Sequence, residues 1–293
     1  MDYFCENRYI STISVQFIIL LTQIVTSYFN ELNDNMKVVI FAGGLGTRIS
    51  EETDTRPKPM VEIGGKPIIW HIMKIYESHG FNEFIICLGY KGYVIKEYFT
   101  NYFLHNSDLT IDLEKNSTVF HNSNSEKFKI TLVDTGLNTK TAGRLKAIRP
   151  YLDNDDFMLT YGDGVCDVNI QELLAYHKQH GKIATVTAIS LEARFGGMEL
   201  SENGAVNAFK EKAKDESKWI NGGFFVLKNE VFSYLEGDMS NMMWEDEPLE
   251  KLTTADQLQA YKHQGFWKCM DALRDKIELE QLWQSGQAKW KTW

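Results

Sequence analysis

The chain has 293 residues, 43% hydrophobic and 24% charged, which is ordinary for a globular protein and ample for one large domain with a buried core. Its net charge is −9 and no basic block stands out, which argues against nucleic acid as a partner. The four cysteines, Cys5, Cys87, Cys166 and Cys269, form no CxxC pair and the seven histidines no HExxH pattern, so the thiols read as reduced and the protein as cytoplasmic.

Residues 1–35 differ from the rest. From Tyr9 to Asn30 there is no charge, and "ISVQFIILLTQIV" is strongly apolar, close to the ~20 residues of a spanning helix. The positive n-region and the cleavage site of a signal peptide are both missing. Three readings stay open: a leader from an over-extended start with Met36 as the natural first residue, a membrane-associating anchor, or an extra packed helix. Membrane contact is expected only if the second holds. Residues 36–293 are expected to form the functional domain.

From Met36 apolar strands alternate with amphipathic helices. "KVVIFAGG" reads as a buried strand ended by glycine. "PIIWHIMKIYESHG" reads as a helix with Pro67 in its first turn, and Ile68, Ile69, Ile72, Met73 and Tyr76 fall on one face. "EFIICLGY" is the next strand and "KGYVIKEYFTNYF" the next helix. "LTIDLEK" and "FKITLVDTG" read as strands, with the polar "NSTVFHNSNSEK" as a loop between them. "TAGRLKAIRPYL" starts a helix, "DFMLTYGDG" is a strand entering a turn, and "KIATVTAIS" is another strand. In the helix "IQELLAYHKQHGK", His177 and His180 read as a solvated face in preference to metal ligands. Shorter strands and turns follow Arg194, and the tail from "EPLEKL" reads as mostly helix with a Gly-Phe-Trp interruption. The pattern predicts an α/β fold: a Rossmann-like mixed, mostly parallel sheet flanked by helices, with a smaller strand and helix elaboration toward the C-terminus.

A strand, a glycine loop and then helix is how α/β proteins hold phosphates, because glycine lets bare N–H groups approach an anion. "AGGLGTRIS" lacks the lysine of a Walker A loop, and Gly44-x-Gly46 lacks the third glycine of a dinucleotide fingerprint. "SEETDTRPKP" follows, and its prolines argue against an immediate helix. The chain has five prolines, and two of them, Pro57 and Pro59, flank Lys58.

"AGGLGTR…RPKPM" resembles the opening of the sugar-1-phosphate nucleotidylyltransferases. The stretch from Pro59 to Phe99, with "VDTG", "AGRL", "TYGDGV", "INGGFFV", "GFW", "MDALRDK" and "WKTW", is similar more narrowly to the branch that transfers a cytidylyl group to glucose 1-phosphate. The resemblance runs from Met36 to Trp293. It implies a Mg2+-dependent enzyme that takes CTP and glucose 1-phosphate and releases CDP-glucose and pyrophosphate, for deoxysugar and surface-polysaccharide (O-antigen) biosynthesis. It also implies a homo-oligomer. The same reaction with dTTP or UTP, a glycosyltransferase and a non-catalytic nucleotide-sugar binder are the rivals; "DGV" at Asp163 is not the DxD pair of the glycosyltransferase.

The resemblance also implies a site. Ala42 would border the nucleotide and Gly43, Gly44, Leu45, Gly46 and Thr47 would offer it loop N–H groups, with Arg48 and Lys58 as the catalytic cations on its phosphates. Thr139, Arg144 and Gly162 would complete the nucleotide contacts. Glu211, Lys212, Asn221 and Gly223 would hold the sugar phosphate, although Ala213 stands where the family carries a proline. Asp163 and Asp271 would hold the metal.

Overall fold

The computed structural model describes residues 36–122, 125–191, 197–200, 206–210 and 218–293. The apolar segment 1–35 and the sugar-phosphate candidates Glu211 and Lys212 lie outside the described residues.

In chain order, the strands used below are β1 (Lys37–Phe41), β2 (Glu83–Leu88), β3 (Asp108–Asp112), β4 (Ser117–His121), β5 (Lys129–Asp134), β6 (Phe157–Tyr161), β7 (Gly164–Cys166), β8 (Ala184–Leu191), β9 (Gly197–Leu200), β10 (Val206–Lys210), β11 (Lys218–Leu227), β12 (Leu258–His263) and β13 (Trp267–Cys269). The principal helices are α1 (Ile68–Glu77), α2 (Gly92–Thr100), α3 (Thr141–Ala147), α4 (Ile170–His180), α5 (Glu247–Thr254) and α6 (Leu273–Gln284).

Seven strands form one sheet in the order β12-β8-β11-β6-β1-β2-β5. β1 pairs parallel to both β2 and β6, β2 to β5, and β8 to β12. β11 runs antiparallel to β6 and β8. The sheet is therefore mixed and mostly parallel, as the alternating pattern requires. β11 and β12, from the region expected to be an elaboration, extend the main sheet itself, while β9 and β10 make a separate hairpin.

Side chains alternate across the pleat, so each strand feeds two cores. Val38 and Ile40 of β1, Phe84 and Ile86 of β2 and Met158 of β6 meet α1 on one face. Val39, Phe41, Ile85, Phe157 and Leu159 meet Leu145 of α3 and Trp244 on the other. Such full burial of each aliphatic or aromatic side chain contributes about 1.5–3 kcal/mol.

Four sequence readings are corrected. Residues Ser117–His121, read as part of a loop, form β4 and pair antiparallel with β3. "STVFH" shows no apolar alternation and is exposed at every position, so nothing in its pattern marked a strand. "LQAYKH" in the tail, read as mostly helix, is β12. It is an edge strand with both faces partly exposed, which explains its polar composition. A short helical stretch does follow the glycine loop: Thr47–Ile49 and Ser50–Thr53 turn before Pro57, because a proline forbids helix only around its own position. The solvated face read for His177 and His180 also fails at His177, which is 2% exposed: it turns into the core, and both rings approach the Thr185 hydroxyl at 2.7 Å.

The closing "WKTW" explains why α1 is buried nearly all round. Trp283, Trp290 and Trp293 pack around His71, with ring centroids 4.8, 6.2 and 6.2 Å away. His71 Nε2 donates to the Ile63 carbonyl at 2.8 Å and Nδ1 accepts from the Trp290 indole at 3.4 Å, a neutral tautomer. Burial pushes its pKa down to about 4, against the Ile63 and Lys66 backbone hydrogen bonds and the Glu280 charge, and with the Lys291 charge. The unfolded chain then binds more protons than the folded one between about pH 6.5 and 4, so stability falls as pH falls through that window. A shift from 6.5 to about 4 corresponds to on the order of 3 kcal/mol. His71→Asn should be less stable at pH 7 yet lose less on acidification. Urea denaturation at pH 7 and 4.5 measures this; an unchanged pH slope would contradict it.

Candidate active site

The chain builds β1, β2 and β5 outward on one side, then returns to place β6 on the other side of β1. The loops after β1 and β6 therefore diverge at the carboxyl edge, where α/β sheets place ligands. A cavity of about 800 Å³ opens there, lined by residues 41–48, 58–59, 137–141 and 161–163, among others.

The loop leaving β1 is pinned before it is exposed. Ala42 N donates to the Cys87 carbonyl at 3.0 Å and Gly43 O accepts from Tyr90 N at 3.2 Å. Gly44, Leu45, Thr47 and Arg48 then stand exposed on the cavity. Beneath the loop lies Arg144, 4% exposed. Its guanidinium donates to the carbonyls of Gly43 (2.9 Å) and Leu88 (2.8 Å) and to the Thr135 hydroxyl (2.7 Å). A Cβ at Gly43 would come within 2.3 Å of Arg144 Cζ and would push the guanidinium off these partners. Arg144 thus lines the cavity as expected, but the structure spends most of its donors on holding the loop. Burial pulls its pKa down and the Asp134 charge opposes this.

Buried Pro57 and Pro59 set Lys58 in a 3-10 turn, with Met60 N bonded to the Pro57 carbonyl at 2.8 Å. The Lys58 side chain, 11% exposed, reaches Asp163 Oδ2 at 2.6 Å and Asp271 Oδ1 at 2.7 Å. Sequence reasoning aimed this ammonium at phosphates; here it stands between the two carboxylates. Burial lowers its pKa, but the charge and hydrogen bond of Asp163 and the hydrogen bond to Asp271 outweigh that and raise it.

The two aspartates are brought together by a strand pair. β7 runs antiparallel to β13, with Gly164 opposite Cys269, and Met270 N donates to the Asp163 carbonyl at 2.9 Å. Asp271 does not cap α6: Asp275 Oδ2 takes the Asp271 and Ala272 N–H groups at 3.1 and 2.9 Å. That leaves the Asp271 carboxylate to Lys58 and to Arg48 Nη1, 3.0 Å away. Burial disfavours its charge, but Lys58, Arg48 and the Cys269 thiol hold it below the usual carboxylate range.

One atom each of Asp163, Cys269 and Asp271 lies within 4.8 Å of the others. Two hard carboxylates this close suit Mg2+; a thiol does not. Burial and the Asp163 charge push the Cys269 thiol upward, so it stays protonated and outside the ligand set.

Thr139, Gly162 and Asn221 also line the cavity. Gly223 does not; it lies behind Asn221, whose Oδ1 accepts its N–H at 2.8 Å. Sequence reasoning missed Tyr161, Glu245 and Trp267 as lining residues. Tyr161 and Trp267 lay inside the quoted "TYGDGV" and "GFW", but Glu245 in "MMWEDEP" carries no local signal.

A mixed sheet with a glycine loop and an aspartate–lysine cluster at its switch point defines a class: α/β proteins that act on nucleotide phosphates. The comparisons are specific. The model of the nucleotidyl transferase family matches residues 37–281, and the chain belongs to that family. It is 54% identical over 259 residues to the glucose-1-phosphate cytidylyltransferase of Salmonella typhi, covering 88% of this chain and 100% of that protein. It is 28% identical over 261 residues to the mannose-1-phosphate guanyltransferase of Saccharomyces cerevisiae, covering 87% of this chain and 66% of that protein. Among solved structures, HddC from Yersinia pseudotuberculosis shares the fold, with a TM-score of 0.62 at 22% identity over 85% of this chain and 99% of that one.

Proposed function

We propose that the protein transfers the cytidylyl group of CTP to glucose 1-phosphate, giving CDP-glucose and pyrophosphate. The observation that carries this is the 54% identity over the full length of the Salmonella typhi enzyme. The relative named for guanylyl transfer stands at 28%.

In this reaction a phosphate oxygen of glucose 1-phosphate attacks the α-phosphorus of CTP. A new P–O bond forms, the bond to the β-phosphate bridging oxygen breaks, and pyrophosphate leaves with that electron pair. The protein needs no covalent nucleophile; it positions two anions and balances charge. The N–H groups of Gly43–Thr47 would hold the triphosphate, with Thr139 and Gly162 beside the nucleotide and Arg144 bracing the loop from below. Arg48, whose side chain is 75% exposed, would turn its remaining donors to the leaving phosphates. Lys58 would neutralise charge at the transferring phosphate. Asp163 and Asp271 would hold Mg2+, which when bound supplies further positive charge to the phosphate oxygens. Glu211, Lys212 and Asn221 are assigned to the sugar phosphate, with Gly223 supporting Asn221.

A homo-oligomer is part of the proposal, supported by exposed Ile111 and Phe120 on one face of the β3–β4 hairpin. Among the described residues no helix is long and apolar enough to cross a membrane.

Pyrophosphate release with each of the four nucleoside triphosphates, glucose 1-phosphate and Mg2+ tests the function. CTP should be strongly preferred. A preference for UTP or dTTP would reject the base assignment, and no release with any of them would reject the activity.

A further inference from the structure

The cavity wall formed by β6, β11 and the segment before α5 carries a chain of hydrogen bonds that the charge-balancing machinery does not use. Tyr161, Asn221 and Glu245 all line the cavity. The Tyr161 hydroxyl donates to Glu245 Oε1. Asn221 Nδ2 donates to the Tyr161 oxygen at 3.1 Å, and Asn221 Oδ1 accepts from Gly223 N at 2.8 Å. The other carboxylate oxygen, Glu245 Oε2, accepts from the Thr141 hydroxyl at 2.8 Å, at the start of α3. The Thr141 oxygen in turn accepts from Trp244 N at 2.7 Å, next to Glu245 in the chain.

The donors and acceptors allow one direction only. An ionised carboxylate accepts and cannot donate, so the Tyr161 proton is committed to Glu245. The phenol oxygen is then left to accept, which calls for the amino side of Asn221. A backbone N–H can only donate, so Gly223 claims the carbonyl side of the same amide. Both ends of the chain thus agree, and the amide orientation of Asn221 follows from the network. Burial and the Glu245 charge both push the Tyr161 pKa upward, so the phenol keeps its proton. The packing is tight as well. Gly223 has φ +80, and a Cβ there would lie 2.5 Å from Tyr161 Cδ2, so glycine permits the turn that carries Asn221 past the ring.

We propose that Glu245 is a positioning residue for the sugar phosphate: its carboxylate fixes the direction of the Tyr161–Asn221 chain, so that exposed Asn221 offers the cavity an N–H donor for a hydroxyl oxygen of the bound hexose. Through Thr141 the same carboxylate ties this donor to α3, the helix beside Thr139 on the nucleotide side. This inference rests on the proposed reaction, because it assigns Asn221 to the hexose.

The test uses Tyr161→Phe, Glu245→Gln and the double variant in the full chain. Phenylalanine keeps the ring and removes the link. Glutamine keeps the size but can donate, which destroys the single direction. Each single variant should raise KM for glucose 1-phosphate about tenfold, the scale expected when a buried polar partner is left unmatched. KM for CTP should stay within about twofold. Glu245→Gln should add little to Tyr161→Phe, because the chain is already cut. In a series of deoxyglucose 1-phosphates, the wild type should penalise loss of one hydroxyl that the variants penalise less. An equal rise in both KM values, or multiplicative effects in the double variant, would show a merely structural role and overturn the inference. An active wild type with unchanged KM in the single variants would overturn it alone. A wild type inactive with glucose 1-phosphate and every nucleoside triphosphate would overturn the proposed function together with it.

Discussion

Lys58→Ala should lower turnover by about 10²-fold or more, the scale of losing one preorganised donor at a developing charge. The geometry adds a second effect. The Lys58 ammonium lies 2.6 Å from Asp163 and 2.7 Å from Asp271, so its removal leaves two carboxylates facing each other without a cation. The variant should therefore unfold at a lower temperature than the wild type when Mg2+ is absent, and millimolar Mg2+ should restore most of that loss without restoring kcat. The contrast would separate a structural role of Lys58 from the catalytic one proposed for it. Arg48→Lys should also impair turnover, because one ammonium cannot reproduce a planar fork that already gives Nη1 to Asp271. Near-normal kcat in Lys58→Ala would show that the cluster is a structural ion pair and no more.

The second large effect concerns the aspartates. Asp163→Asn and Asp271→Asn should each abolish most turnover, and the double variant should be little worse than either. Their ligand atoms lie within 4.8 Å, close enough for both to reach one ion with oxygen bonds of about 2.1 Å. They also share Lys58, so removing either one disturbs the charge balance of the other. Groups that act as a unit are grossly non-additive. Each single variant should also lose the Mg2+-dependent rise in melting temperature, a readout that needs no turnover. Independent multiplicative losses in kcat, or a retained Mg2+ shift in both variants, would refute the shared site.

The fold was legible where residue chemistry is decisive over a short span. β1 reads from "VVIF" because its core residues alternate onto two buried faces and leave no polar position. α1 was legible as a helix, but its second buried face was not: Trp70 and His71 are covered by tryptophans about two hundred residues downstream. β12 was missed because an edge strand is under little pressure to be apolar. The site divides in the same way. The glycine loop and Lys58 sit in local punctuation of glycine and proline. Asp163 and Asp271 meet only through the β7–β13 pairing, for which no local pattern exists, so resemblance alone linked them. Arg144 was placed at the site by resemblance, yet its work of gripping loop carbonyls is visible only in three dimensions. Glu245 had neither a motif nor a quoted segment to announce it.

The pairing of β7 with β13 also fixes when the site can come into being. During synthesis the glycine loop, the Lys58 turn and Asp163 emerge early and can assemble on β1 and β6. Asp271 follows Asp163 only after a long intervening stretch, and Trp290, fully buried beside His71, comes later still. Long-range closures of this kind are slow, because chain entropy is lost before contacts repay it. A nascent chain therefore carries Lys58 with one aspartate instead of two, and an α1 with its outer apolar face bare. The site is therefore completed only once the β13 segment has been made, and until Trp290 follows, the α1 face that it covers is open to other apolar surfaces.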